Sequence, residues 1–134
     1  MASVFTKIID RQIPAHILSE TNNCIAILDA FPLVKGHTLV IPKIEVDKLF
    51  DLDQNIYNEL FAFTKDIAAA IEKTIPCNRV SMHVIGLEVP HAHIHLIPIT
   101  TTNDCNFSNT KLQFSKEIFE NTASQIKANI KPKF

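Results

Sequence analysis

HAHIHLIPI (residues 91–99) holds half of the chain's six histidines, at alternate positions, and follows them with an apolar run. Alternation is the period of a β-strand, so His91, His93 and His95 are expected on one face, with Ala92, Ile94 and Leu96 on the other. Three such residues on a strand span about 13 Å, with neighbours about 7 Å apart. Side chains at that spacing can converge on one small group.

Three readings of that face follow from the residues. A His-x-His pair can supply two zinc ligands, although three alternating residues of one straight strand fit a tetrahedron poorly. Phosphoryl chemistry uses all three: imidazole, with its ordinary pKa near 6.5, is nucleophilic at neutral pH once one nitrogen is protonated and the other bare. One histidine then attacks phosphorus, and the flanking pair stabilises charge on the phosphate oxygens. The third reading is a strand whose histidines simply coat a solvated surface.

Working outward, RVSMHVIG (79–86) reads as the other arm of a hairpin, joined by an irregular connection over 87–90. Over 53–75, Ile56, Leu60, Phe63, Ile67 and Ile71 recur at helical spacing, giving one long amphipathic helix that ends before Pro76. Tyr57, Phe61, Ala68 and Ala69 lie off that stripe, more apolar surface than one sheet face needs. CIAILD (24–29) and HTLVIP (37–42) read as strands, separated by a turn around Phe31-Pro32 and Lys35-Gly36. A short helix over 5–10 stops before Pro14. The stretch 101–114 is polar and irregular, and Ser115 stands to cap a final helix carrying Ile118, Phe119 and Ile126. Strands grouped around one long helix predict an α+β fold: an antiparallel β-sheet, one long amphipathic helix and a C-terminal helix.

The 134 residues suit one domain, with 101–134 as a C-terminal extension of its core, and 46% apolar against 20% charged residues argues for a packed fold. A formal charge of −1 with no basic stripe gives no reason to expect a nucleic-acid partner. Gly36 and Gly86 are the only glycines, which excludes a P-loop and a GxGxxG fingerprint. No segment has the apolar length of a membrane span, and MASVFTKIIDRQIP lacks a signal-peptide core. Cys24, Cys77 and Cys105 are odd in number and widely spaced, which predicts reduced, buried thiols and a cytoplasmic location.

His91-Ala92-His93-Ile94-His95-Leu96-Ile97 matches the His-φ-His-φ-His-φ-φ signature of the histidine triad (HIT) nucleotide-binding proteins. VFTKIIDRQIPAHI (4–17), IAILDAFP (25–32) and KGHTLVIPK (35–43) resemble that family's N-terminal segment, ribose-binding strand and following strand, in order. The resemblance implies that His93 is the nucleophile, forming a nucleotidylyl intermediate, and that His91 and His95 orient it and contact the phosphate. It implies that Asp29 binds the ribose hydroxyls and that His37 supports the triad from behind. Phe5, Ile8 and Ile27 match positions that sandwich the base, and Val89 joins them as a nucleotide-binding position.

The resemblance further implies a purine nucleotide substrate, a homodimer built around the long helix and a shared sheet edge, and no cofactor. A flanking imidazolium is the expected proton donor to the leaving group. The chain also departs from the family. Leu87 and Glu88 stand where many members have Gln and then Ser or Thr; Leu87 cannot donate that hydrogen bond, and Glu88 is either a solvated loop carboxylate or a group on the leaving-group side, where it would repel polyphosphates and tolerate a cationic amine. Val4 and Thr6 stand where zinc-binding members have cysteines, so no metal is expected, and Glu45 stands where many members have a histidine. These features favour a nucleoside phosphoramidase-like hydrolase, metal-independent, over a dinucleoside polyphosphate hydrolase or a non-catalytic binding protein.

Overall fold

The computed structural model describes residues 2–131. Its elements run α1 (Val4–Ile9), β1 (Ile17–Glu20), β2 (Cys24–Leu28), β3 (Thr38–Pro42), α2 (Gln54–Thr74), β4 (Arg79–His83), β5 (Ile94–Ile99) and α3 (Lys116–Ala128). The strands form one sheet in the order β1-β2-β3-β5-β4, every pair antiparallel. This is the α+β architecture expected from the sequence.

Period-two alternation gives the sheet two apolar faces. Cys24, Ala26, Leu28, Val40, Ile94 and Leu96 turn toward α2, meeting its stripe of Leu60, Phe63, Ile67 and Ile71. Ile25, Ile27, Leu39 and Ile41 turn the other way and pack against Phe5 and Ile8 of α1. Each such side chain contributes roughly 1.5–3 kcal/mol when taken from water. Asp53 starts α2 by accepting from the Asn55 N–H at 2.7 Å, and Ser115 starts α3 by accepting from the Ile118 N–H at 3.2 Å. Helix α3 lies on β1 and α2, with Phe119 stacked on His16 at 5.1 Å between centroids.

Several sequence expectations are corrected. Strand β1 was not anticipated; ILSE is short, and its pairing with β2 is interrupted by a bulge between Ile17 and Ser19. Strand β5 begins at Ile94, so His91 and His93 precede the strand rather than lying on it. The ladder stops there because Pro42 has no N–H to give and its carbonyl accepts from the His91 ring at 2.8 Å. The Ala92 N–H donates instead to Val46 at 2.7 Å. Ile118 is exposed, with only Ile126 of the named α3 residues buried and Phe119 half-buried. Cys24, Cys77 and Cys105 form no disulfide, and of the three only Cys24 is buried. Among the described residues no helix is long and apolar enough to cross a membrane.

Candidate functional site

Sheet register assembles the site. Asp29 lies two residues beyond Ile27 and His37 two before Leu39, so both continue the α1-side face past the strand ends. The Asp29 N–H donates to the His37 carbonyl at 2.9 Å, and Leu39 pairs with His95. Three side chains from three neighbouring segments therefore meet. His37 Nε2 lies 3.0 Å from His95 Nδ1 and 3.4 Å from Asp29 Oδ2, while Asp29 Oδ1 accepts from the Phe31 N–H at 2.8 Å. The irregular segment before β5 brings in the other two histidines, and the rings of His93 and His95 stand 5.0 Å apart. Phe5 meets His91 and His93 edge-on at 5.7 and 4.9 Å.

The partners fix where each proton sits. A carbonyl only accepts, so His93 Nδ1 donates to the His91 carbonyl at 2.7 Å, which leaves Nε2 with a bare lone pair. His91 likewise donates from Nε2 to the Pro42 carbonyl, and its Nδ1 accepts from the Ser3 hydroxyl at 2.6 Å. A backbone amide only donates, so His37 Nδ1 accepts from the Leu33 N–H at 3.0 Å and its own proton sits on Nε2. That proton points to His95 Nδ1, which places the His95 proton on Nε2. The four rings thus form two directional chains.

Burial, which penalises charge, favours the neutral form of His37, His93 and His95. It is the leading cause that lowers His37 to about 3 and His95 to about 4. His95, Lys111 and His83 press on His37 as well, and His93, His83 and Lys111 on His95. Burial also lowers His93, against the His91 carbonyl bond that favours its cation. Burial raises the Asp29 carboxyl, opposed by the Phe31 N–H and Lys111, and Glu88 adds to the rise.

The sequence reading missed Ser3. Val4, named there, is 41% exposed, whereas Ser3 caps α1 and binds His91. Glu45 Oε1 accepts from the Ser3 N–H at 2.8 Å and from the Thr6 hydroxyl at 2.6 Å, closing a polar cluster beneath His91. A serine directly before the first apolar helical residues was the available signal. Hydroxyls are poor zinc ligands, so this cluster is built for hydrogen bonds. Asp29, His37 and His95 do offer donor atoms within 4.8 Å of one another. The Leu33 N–H, however, holds the proton of His37 on the nitrogen an ion would need, so these residues do not fit a metal.

Phe5, Ile8 and Ile27 lie buried in one cluster, with half-buried Val89 packed against it. The structure thus brings all four apolar positions together, and of them Phe5 stands edge-on to His93. Leu87 is 89% exposed and holds nothing in place. Glu88 is exposed too, yet close enough to bear on Asp29. Phe107 and His83 were also missed: both stand against His95, Phe107 at 5.0 Å between centroids and His83 as its cross-strand partner. Phe107 sits in an irregular stretch without periodicity, so no sequence signal marked it.

A family model described as the HIT domain matches residues 10–102. An uncharacterised HIT-like protein of Borreliella burgdorferi is 30% identical over 135 residues, covering 95% of this chain and 97% of that protein. The adenosine 5'-monophosphoramidase HNT1 of Saccharomyces cerevisiae is 36% identical over 98 residues, which cover 72% of this chain and 62% of the yeast protein. A crystal structure of a HIT-like protein involved in cell-cycle regulation from Bartonella henselae superposes with a TM-score of 0.82 at 29% identity, covering 95% of each chain.

Proposed function

The chain belongs to the HIT domain family, and from that membership we propose that it is a nucleotide hydrolase cleaving nucleoside phosphoramidates, or related nucleotides, at the α-phosphorus through a nucleotidyl-histidine intermediate. The observation that carries this reading is the His93 Nδ1–H bond to the His91 carbonyl, which leaves Nε2 unprotonated at neutral pH. The phosphoramidase activity named for the yeast relative supports the substrate class.

In this reading the lone pair of His93 Nε2 attacks the α-phosphorus in line. The phosphorus–nitrogen bond to the leaving amine breaks, its electron pair stays on nitrogen, and that nitrogen takes a proton from solvent. Water then attacks the nucleotidyl-histidine, releases the nucleoside monophosphate, restores the bare Nε2 and returns one proton to solvent. His95 donates from Nε2 to a phosphate oxygen as charge builds there. His91 acts through its backbone carbonyl, because both its ring nitrogens are committed. The expected imidazolium donor is therefore replaced: His91 has no free nitrogen, and His95 stays neutral near pH 7. Asp29 takes the ribose hydroxyls, and Phe5, Ile8, Ile27 and Val89 form the wall for a purine base. His37 fixes the tautomer of His95. No step needs a metal.

The same reading includes a homodimer, residues 101–134 as an extension of a single domain, and a cytoplasmic location. Two features favour the dimer. Phe50, just before α2, forms an aromatic row with Tyr57 and Phe61 on that helix; Phe50 is 83% exposed and the other two are half-buried. β4 is an edge strand, with Met82 and, just beyond it, Val84 exposed.

The test is turnover of an AMP phosphoramidate and a diadenosine polyphosphate in the presence of EDTA, with His93→Ala alongside. The expected result is phosphoramidate cleavage that survives EDTA and disappears in His93→Ala, with a nucleotidyl adduct on acid-quenched wild-type protein by mass. Preference for the polyphosphate overturns the substrate class. Tight AMP binding without any turnover overturns the enzymatic reading.

A further inference from the structure

The turn at 106–109 lies beyond the segment that matches the family domain, yet it reaches the centre of the site. Phe107 presents its ring edge-on to His95, His83 and His37, with centroids 5.0, 5.5 and 6.3 Å away. Phe5 stands on the opposite side, against His93. The aromatic order across the site is therefore Phe5, His93, His95, Phe107, each about one ring width from the next.

The turn is tied down far more than a surface loop requires. Asn106 Oδ1 accepts from the Ser108 N–H at 2.9 Å, and the Asn106 carbonyl accepts from the Asn109 N–H at 3.0 Å. Asn109 Nδ2 donates back to the Asn103 carbonyl at 2.8 Å. Lys111 Nζ donates to the Phe107 carbonyl at 2.7 Å and to the Asn109 carbonyl at 3.2 Å, clamping the turn from within. The Leu112 N–H then donates to the Pro32 carbonyl at 2.8 Å, which fastens the segment to the loop that carries Asp29. Six hydrogen bonds thus hold one phenyl ring against buried His37 and half-buried His95.

We propose that Phe107 is a positioning residue of the active site: it seals the His37–His95 pair from water and so preserves the one-way hydrogen bond that aims the His95 proton at the substrate. Lys111 supports it twice, by holding the turn and by adding positive charge beside the pair. The physical need is plain. A water molecule between the rings competes for the proton on His37 Nε2, frees His95 Nδ1 and lets His95 change tautomer. Burial is the leading cause of the low basicity of both rings, and Phe107 supplies part of that burial. The other charged and titratable groups facing the pair are Asp29, His83, His93 and Lys111, with Glu88 bearing on Asp29.

The kinetic arm of the test rests on the hydrolase reading above; the spectroscopic arm does not. Histidine C2–H resonances of the full chain are titrated by NMR in wild type, Phe107→Ala, Phe107→Leu and Lys111→Met. The expected result in Phe107→Ala is a His95 midpoint raised by about one unit or more, as water reaches the ring. With phosphoramidate as substrate, kcat falls about tenfold while KM barely moves, the mark of lost alignment rather than lost binding. Phe107→Leu, an apolar seal of similar reach, restores both readouts, and Lys111→Met shifts them the same way by less. Thermal melts confirm that each variant is folded. An unchanged His95 midpoint in folded Phe107→Ala overturns the proposal, as does a leucine variant no better than alanine. If wild type shows no turnover, the hydrolase reading fails while the NMR titration still decides this inference.

Discussion

Replacing Ser3 separates two contributions that one side chain makes. Its hydroxyl oxygen accepts from the Thr6 N–H at 3.0 Å as the cap of α1, and its proton goes to His91 Nδ1 at 2.6 Å. Ser3→Ala removes both. Loss of a cap costs about 1 kcal/mol. Leaving a buried imidazole nitrogen without its donor costs about 1–3 kcal/mol, and His91 is fully buried. The total, about 2–4 kcal/mol, corresponds to a fall in Tm of roughly 8–16 °C at about 4 °C per kcal/mol for a chain of this size. Ser3→Gly isolates the second contribution, because glycine is tolerated at a cap for only a few tenths of a kcal/mol. It should therefore lose most of what alanine loses. The assay is thermal unfolding followed by circular dichroism at 222 nm, at pH 7.5 and one protein concentration. A glycine variant that melts with wild type would falsify the claim that the hydroxyl holds His91.

Acid should weaken the fold in a defined window. His37 and His95 are depressed in the folded state to about 3 and about 4, so the stability they contribute is whole above about pH 6.5 and is lost as pH falls through those values. His93 acts in the same direction, and Asp29, raised by burial, opposes it at the acid end. Urea midpoints at pH 7.5, 5.5 and 4.5 should decline in that order, and a flat series refutes the assignment. Gly36→Ala should destabilise by about 2–4 kcal/mol, combining left-handed strain with overpacking. Gly36 has φ of +92°, and a Cβ there would stand 2.8 Å from Ile75 Cγ1. A chemical melt that matches wild type within error counts against this. Asp29→Asn should raise KM for a ribonucleotide substrate with kcat nearly unchanged, since hydroxyl contacts remote from phosphorus act equally before and during reaction. A loss confined to kcat places the carboxylate elsewhere in the mechanism.

Local periodicity made much of this molecule legible. The helical spacing from Ile56 to Ile71 delivered α2, and Ser115 announced α3, because both signals live within a few residues. The histidine alternation was read as one strand face, but the strand opens at Ile94. What delays its start is non-local: the carbonyl of Pro42 is taken by the side chain of His91, 49 positions later. The convergence of Asp29, His37 and His95 needed the register of three segments, which a single sequence does not display. Ser3 carried a visible capping signal that went unread. Phe107 carried none, since its place depends on a turn held by asparagines and one lysine.

The chain from the Leu33 amide through His37 to His95 has an end that bears on the proposed reaction. A backbone amide gives up no proton, so nothing upstream can resupply His95 if it surrenders one. The assembly is a dead-end wire, able to polarise but not to conduct. In the hydrolase proposed above, each cycle would then exchange its protons directly with the bulk, on the open side of the pocket. A phosphoramidate nitrogen, basic enough to take a proton from bulk water as its bond to phosphorus breaks, suits such a site; a bridging ester oxygen, far less basic and needing an acid delivered inside the pocket, does not.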